Sequence, residues 1–194
     1  MYLPIIALLT LTLLTGCAAI PYDKPQDQLN IQNDLSVKPD DIITMTQVNW
    51  CFYAYGVLTP CRPKEALAVQ TRTKLILASY DKPHFETLLE TQASEITCAH
   101  LQAPVDTAPN LFLFTQAYAV QIWPVEPSFK PDIAKKKLIV ETMVQSGART
   151  LVGTENDYVR DTGQLRSGMA IIPNTAIPYS TRTPILHLIN PCSP

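Results

Sequence analysis

The 194-residue chain carries 17 prolines against only 6 glycines. Proline holds φ at about −65° and donates no N–H, so it stops helices and sits in sheets only at edges, strand starts and bulges. Interruptions this frequent leave room for short strands joined by turns and exclude a bundle of long helices. Hydrophobic residues make up 46% and charged residues 16%, enough apolar material for a packed core, which excludes a chain disordered throughout. The expected fold class is mainly β (α+β), an antiparallel sheet or sandwich with one short helix.

Local patterns place the elements. In VNWCFYAY, residues 48–55, Val48, Trp50, Phe52 and Ala54 alternate with Asn49, Cys51, Tyr53 and Tyr55, the two-residue period of a strand. Residues 56–63 supply a turn, and 65–79 read as a second strand whose Leu75, Ile76 and Leu77 form a buried end. The helix is expected near 83–92, where Asp81 caps, Pro83 falls in the first turn, and Phe85, Leu88 and Leu89 have helical spacing. Strand patterns return at 95–101, 111–123, 137–144, 149–153, 169–173 and 184–189, with no internal repeat.

Four cysteines, Cys51, Cys61, Cys98 and Cys192, fall in this β-rich part. An even number without the C-x₂₋₄-C spacing of a zinc site points to two disulfides. Gly56 and Pro60 let the chain turn between Cys51 and Cys61, which would leave Cys98 for Cys192; the other two pairings are not excluded by sequence. His84, His100 and His187 lie far apart and outside any ligand spacing, and no nucleophile elbow, P-loop or dinucleotide fingerprint occurs. No catalytic residue, metal or cofactor is therefore expected. His84 reads as a solvated surface residue, and His100 and His187 as satisfied core or edge histidines.

The most polar stretch is GTENDYVRDTGQLRSG, residues 153–168, which lacks the regular acidic alternation of a calcium loop. It is expected to be a long solvated loop between strands. Because binding groups concentrate on loops held by a rigid sheet, Asp157, Tyr158, Arg160 and Arg166 are its candidate partner-binding residues. Lys135, Lys136 and Lys137 read as a solvated gatekeeper run before a strand. Trp50, Phe52, Tyr53 and Tyr55 read as the two sides of a packed strand, with a sugar-stacking platform as the functional alternative.

The N-terminal segment speaks to location. No charge occurs from Met1 to Tyr22, and the apolar run over residues 2–14 has the length of a signal-peptide core rather than of a membrane-spanning helix. Leu14-Thr15-Gly16-Cys17 resembles the lipobox of bacterial lipoproteins. That resemblance implies export, a diacylglyceryl thioether on Cys17, cleavage before it, and acylation of the new amine by a fatty acid such as palmitate. It also implies, with Ala18 rather than aspartate after the cysteine, an outer-membrane anchor facing the periplasm. The expected organisation is a signal peptide at 1–16, a lipidated cysteine and flexible tether at 17–41, and a single disulfide-bonded β-rich domain at 42–194.

The formal charge of −2 offers no basic surplus for nucleic acid. The expected partners are the membrane, through the anchor, and an envelope protein or polymer. The functional expectation is a non-enzymatic, membrane-anchored scaffold or binding module of the cell envelope; the alternatives are an envelope hydrolase with an unrecognised active site and a small-ligand binder.

Overall fold

The computed structural model describes residues 20–173 and 175–192; Cys17 and the expected signal peptide lie outside them. In chain order the elements are α1 (Pro25–Asp34), β1 (Ile42–Ala54), β2 (Gly56–Val57), β3 (Lys64–Thr71), β4 (Lys74–Asp81), β5 (His84–Gln92), β6 (Cys98–Gln102), β7 (Leu111–Phe114), β8 (Tyr118–Val125), α2 (Ile133–Gln145), β9 (Arg149–Gly153), β10 (Val159–Ile171) and β11 (Pro178–Leu188). Eight strands form one sheet in the order β5-β4-β3-β1-β8-β7-β6-β9, and β10, β11 and β2 form a second. All pairs are antiparallel except β6 with β9. The fold is thus mainly β with two short helices.

The large sheet is strongly curled. β5 and β8 are four places apart in it, about 19 Å if the sheet were flat, yet the hydroxyls of Thr91 on β5 and Tyr118 on β8 are 2.9 Å apart. The concave face closes around α2, whose Ile139 and Met143 are fully buried among residues from both wings, including Val48, Leu77, Ala99, Leu113 and Ile122. Alternate residues of the same strands point to the other face and divide into two clusters. Leu67, Val69, Ile76 and Phe85 pack beneath Ile31 and Leu35 at the α1 end. Phe112, Phe114 and Ala119 pack beneath Tyr158, Leu188 and Cys192 at the other.

Several expectations give way here. The runs read as single strands over 65–79 and 111–123 are each two antiparallel strands, β3 with β4 and β7 with β8, because a turn interrupts each run. The segment near 83–92 is strand β5, not a helix. An extra residue at Leu88 bulges out of the β4–β5 register, so Phe85 joins the α1 cluster while Leu89 joins the opposite, α2 cluster. A bulge inverts the inward phase, and over so few residues the inversion mimics helical spacing. Residues 137–144 belong to α2, capped by the Asp132 carboxylate, which accepts from the Lys135 N–H at 2.9 Å. There Lys136, Ile139 and Met143 make the three-to-four-residue stripe of a buried helix face.

The segment read as a flexible tether contains α1, and Ile31, Leu35 and Val37 bury its apolar side on β3, β4 and β5. The Asp34 carboxylate accepts from the Phe85 N–H at 2.9 Å, fastening helix to edge strand. Three apolar residues suffice because the sheet supplies the other half of the cluster. Finally, most of 153–168 is strand rather than loop: after a short 3-10 turn at Glu155–Asp157, β10 pairs with β11 on both sides of an irregularity between Asp161 and Leu165. The pairing is satisfied by the partner backbone and needs no apolar alternation.

Candidate binding groove at the ribbon base

The β10–β11 ribbon is fixed to the body by clamps from distant parts of the chain. The disulfides are Cys51–Cys61 and Cys98–Cys192, with Cα separations of 6.0 and 6.1 Å. Next to the second, Asn190 donates to Thr115 O at 2.8 Å, Ile189 N–H donates to Tyr158 O at 2.9 Å, and the Arg149 guanidinium donates to Cys192 O at 2.5 Å.

A further clamp joins the start of β10 to β6. His100 is 1% exposed, its Nε2 lies 2.9 Å from Asp157 Oδ2, and its ring meets Tyr158 edge-on at 4.9 Å. Oδ2 also accepts from the Thr154 N–H at 3.0 Å. The hydrogen bond from His100, reinforced by the Thr154 amide, holds the Asp157 carboxyl below the usual carboxylate range. Gly153 makes room for it, since a Cβ there would lie 1.9 Å from Oδ2.

Between the Cys51–Cys61 loop and the ribbon runs a groove of about 390 Å³, walled by Tyr53, Leu58, Cys61, Arg166, Pro184 and Leu186. A second hollow of about 180 Å³ shares Tyr53 and Leu58 and reaches Phe112, Glu155 and Tyr158. Under both lies an aromatic floor. Tyr53 stacks on Phe112 at 5.9 Å, Phe112 meets Tyr158 at 4.6 Å, and the Tyr53 hydroxyl donates to Gln121 Oε1 at 3.1 Å. Burial pushes the phenol of Tyr158 up to about 12; Tyr55, whose hydroxyl donates to Thr115 O at 2.6 Å, is pushed to about the same value. The surface is neutral at physiological pH apart from Arg166 and Glu155 at its margins, which suits an extended apolar or polar segment held by shape.

The sequence-selected residues are split by this geometry. Tyr158 and Arg166 line the hollows, Asp157 is used by His100, and Arg160 turns back to donate to the carbonyls of Asn156 and Val159. His84 is exposed, 3.6 Å from Asp34, and His187 sits in β11 opposite Arg160 and Val57. Tyr53 and Tyr55 are half-buried and Phe52 is exposed against Tyr118, at 5.1 Å between rings.

Lys136 departs furthest from its expected role. It is buried, donates to Val105 O and Ala108 O at 2.5 and 2.6 Å, and its amine is held below the usual lysine value by burial. Lys137 pairs with exposed Asp106 at 2.9 Å. Among the described residues no group of three His, Cys, Asp or Glu is placed to hold a metal ion. Sequence reading missed Leu58, Pro184 and Leu186 as groove walls; only their flanking of a disulfide loop and a proline-bounded strand hinted at it.

No family model matches the chain, and no curated protein matches it. Solved structures share a partial likeness. An apo structure of the activated truncation of Vav1 is 11% identical with a TM-score of 0.43, over 62% of this chain and 33% of that one. The linker-DH/PH domains of p115-RhoGEF are 10% identical with a TM-score of 0.39, over 55% and 28%. The PDZ-RhoGEF DH/PH domains in complex with RhoA are 9% identical with a TM-score of 0.40, over 64% and 34%. This chain thus spans about a third of the solved chains it matches, and at such identities and TM-scores the likeness carries no argument about what it does.

Proposed function

We propose that the chain is a membrane-anchored lipoprotein of the cell envelope whose β-rich domain is a non-enzymatic binding module, with an envelope protein or polymer as the partner received by the groove at the ribbon base. The observation that supports this reading most is the groove's construction. Its walls come from Tyr53, residues 57–61, Arg166 and residues 183–186, brought together across the fold and fixed by two disulfides. Such preorganisation lowers the ordering cost of binding. Lipidation at Cys17 rests on the lipobox resemblance of Leu14-Thr15-Gly16-Cys17. A small-ligand binder is the second reading, favoured by a groove volume within the usual range of about 300–1,000 Å³ for such sites.

Two measurements test the proposal. Labelling cells with a radioactive fatty acid is expected to mark the wild type and not Cys17→Ser; equal label on both would remove the anchor. Crosslinking in cells from a photoreactive residue at Leu58, read by mass spectrometry, is expected to give a discrete partner that Arg166→Ala weakens at unchanged melting temperature. A crosslink pattern unaffected by Arg166→Ala would remove the groove from the function.

A further inference from the structure

Beyond the groove the ribbon continues into a tip with an unusual charge pattern. From Ser167 to Thr181 the chain has no charged side chain, and the residues bounding that stretch are Arg166 and Arg182. Register brings the two together: Arg166 pairs with Thr183 and Arg182 with Ser167, at successive positions of the ladder. Paired residues share a face and successive residues alternate. One face therefore carries Arg182, then Met169, Ile171 and Pro178. The other carries Arg166, then Ala170, Tyr179 and the Ile172–Ile177 pair, where Ile172 N–H donates to Ile177 O at 3.1 Å. Each face has one arginine below an apolar tip, and Met169, Ile171 and Ile177 are 77%, 65% and 60% exposed.

The edges add a second constraint. Pro178 and Pro184 have no N–H, so the Ile171–Pro178 and Leu165–Pro184 pairs are the non-hydrogen-bonded kind. The N–H and C=O groups of Leu165, Ser167, Met169 and Ile171 then point outward along the free edge of β10. An occupant must cover apolar side chains on both faces while leaving water at those edges. A second copy pairing edge to edge leaves both faces bare, and a flat protein surface covers one. The hydrocarbon core of a bilayer leaves the edge groups unsatisfied. The boundary between headgroups and acyl chains satisfies both demands.

We propose that residues 169–172 and 177–179 form a shallow wedge that enters the interface of an anionic phospholipid bilayer, with Arg166 and Arg182 against the phosphates. The strand rise over residues 169–172 is about 10 Å, matching the roughly 5–10 Å depth of interfacial insertion. Ile20 packs on the convex face of the large sheet at the α1 end, and the ribbon base packs on the same face at the other end. The inference rests on the reading that the chain works against a membrane, but it needs no acyl chain.

The test uses the full chain carrying Cys17→Ser, which removes the acyl chains; the apolar run over residues 2–14 stays in every variant, so only a difference between the tip and control variants counts for the wedge. Ile172→Trp reports the tip and Leu88→Trp, on exposed β5, is the control. The chain is mixed with vesicles of phosphatidylethanolamine and phosphatidylglycerol whose acyl chains carry bromine near the headgroup or near the terminal methyl. The expected result is quenching and a blue shift of the tip tryptophan alone, stronger with shallow bromine. Arg166→Gln with Arg182→Gln should lower that signal's apparent affinity roughly tenfold to thirtyfold, and Ile171→Asp with Ile177→Asp should abolish it at unchanged melting temperature. No quenching at the tip, equal quenching at Leu88→Trp, or a blue shift that grows with protein concentration without lipid would overturn the wedge.

Discussion

β1 and β10 are both 13-residue strands, and almost nothing else about them agrees. β1 lies between β3 and β8, with Val48 and Cys51 buried and its two faces serving different clusters. β10 has one neighbour, and none of its residues is buried. Backbone pairing alone therefore makes a strand, whereas burial on a face makes a core. The body has both kinds of support. The ribbon has the first and borrows rigidity from the clamps at its base. An isolated two-stranded ribbon is marginal in water, so the clamps, not the ribbon's own side chains, should decide whether it holds its shape.

Removing the long disulfide should give the largest effect. On the chain-entropy model the Cys98–Cys192 loop contributes about 4.7 kcal/mol and the Cys51–Cys61 loop about 3 kcal/mol, the separations being 94 and 10 residues. Cys98→Ala should lower the melting temperature more than Cys61→Ala and accelerate amide exchange in β10 and β11. Equal shifts would mean that the base clamp contributes no more than the groove loop.

Ile139→Ala comes next, at about 2–5 kcal/mol by urea denaturation, because a fully buried side chain leaves a cavity. Lys136→Met should follow at roughly 1–3 kcal/mol, since the carbonyls of Val105 and Ala108 lose their donor while the aliphatic stem is kept. A neutral outcome would show that water replaces the ammonium there.

Asp157→Asn tests the other base clamp through pH. Its carboxyl sits below its unfolded value, so the stabilisation is present above the unfolded pKa of about 3.9 and is lost as pH falls through the folded value. The variant should melt lower than wild type at neutral pH, and the gap should close below about pH 4. A gap that persists in acid would assign the loss to packing rather than to the His100 pairing. Met169→Ser and Leu165→Ser should move stability least, within about 0.5 kcal/mol, because both side chains are already exposed. A larger loss would break the contrast between ribbon and body.

The same contrast explains what could be read from residues alone. β1 was legible because burial on alternate faces writes a two-residue period into the side chains, and the turn through Gly56 and Pro60 made the short disulfide readable too. β10 was not, since pairing through the backbone leaves GTENDYVRDTGQLRSG free to stay polar. α2 was hidden because Leu138, Ile139 and Val140 are as acceptable in a strand as in a helix, and its cap, Asp132, lies six residues upstream of that run. β5 was disguised by its bulge. In the groove, Tyr158 and Arg166 were reached through polarity, but the walls opposite them depend on which distant strands the sheet brings together, and His100 and Asp157 are 57 residues apart.

The docking of α1 changes how the protein would meet its surroundings. On the proposed lipidation of Cys17, only three residue steps separate the lipid from buried Ile20, a span of at most about 11 Å, where an unpacked segment through residue 41 would have given roughly 25–30 Å. A domain held that closely does not sweep a volume above the bilayer. It searches an area, and encounters become those of two bodies diffusing in one plane, with local concentration set by membrane density rather than by compartment volume. A partner anchored in the same leaflet would meet it readily, and one fixed farther away would have to extend toward the membrane itself.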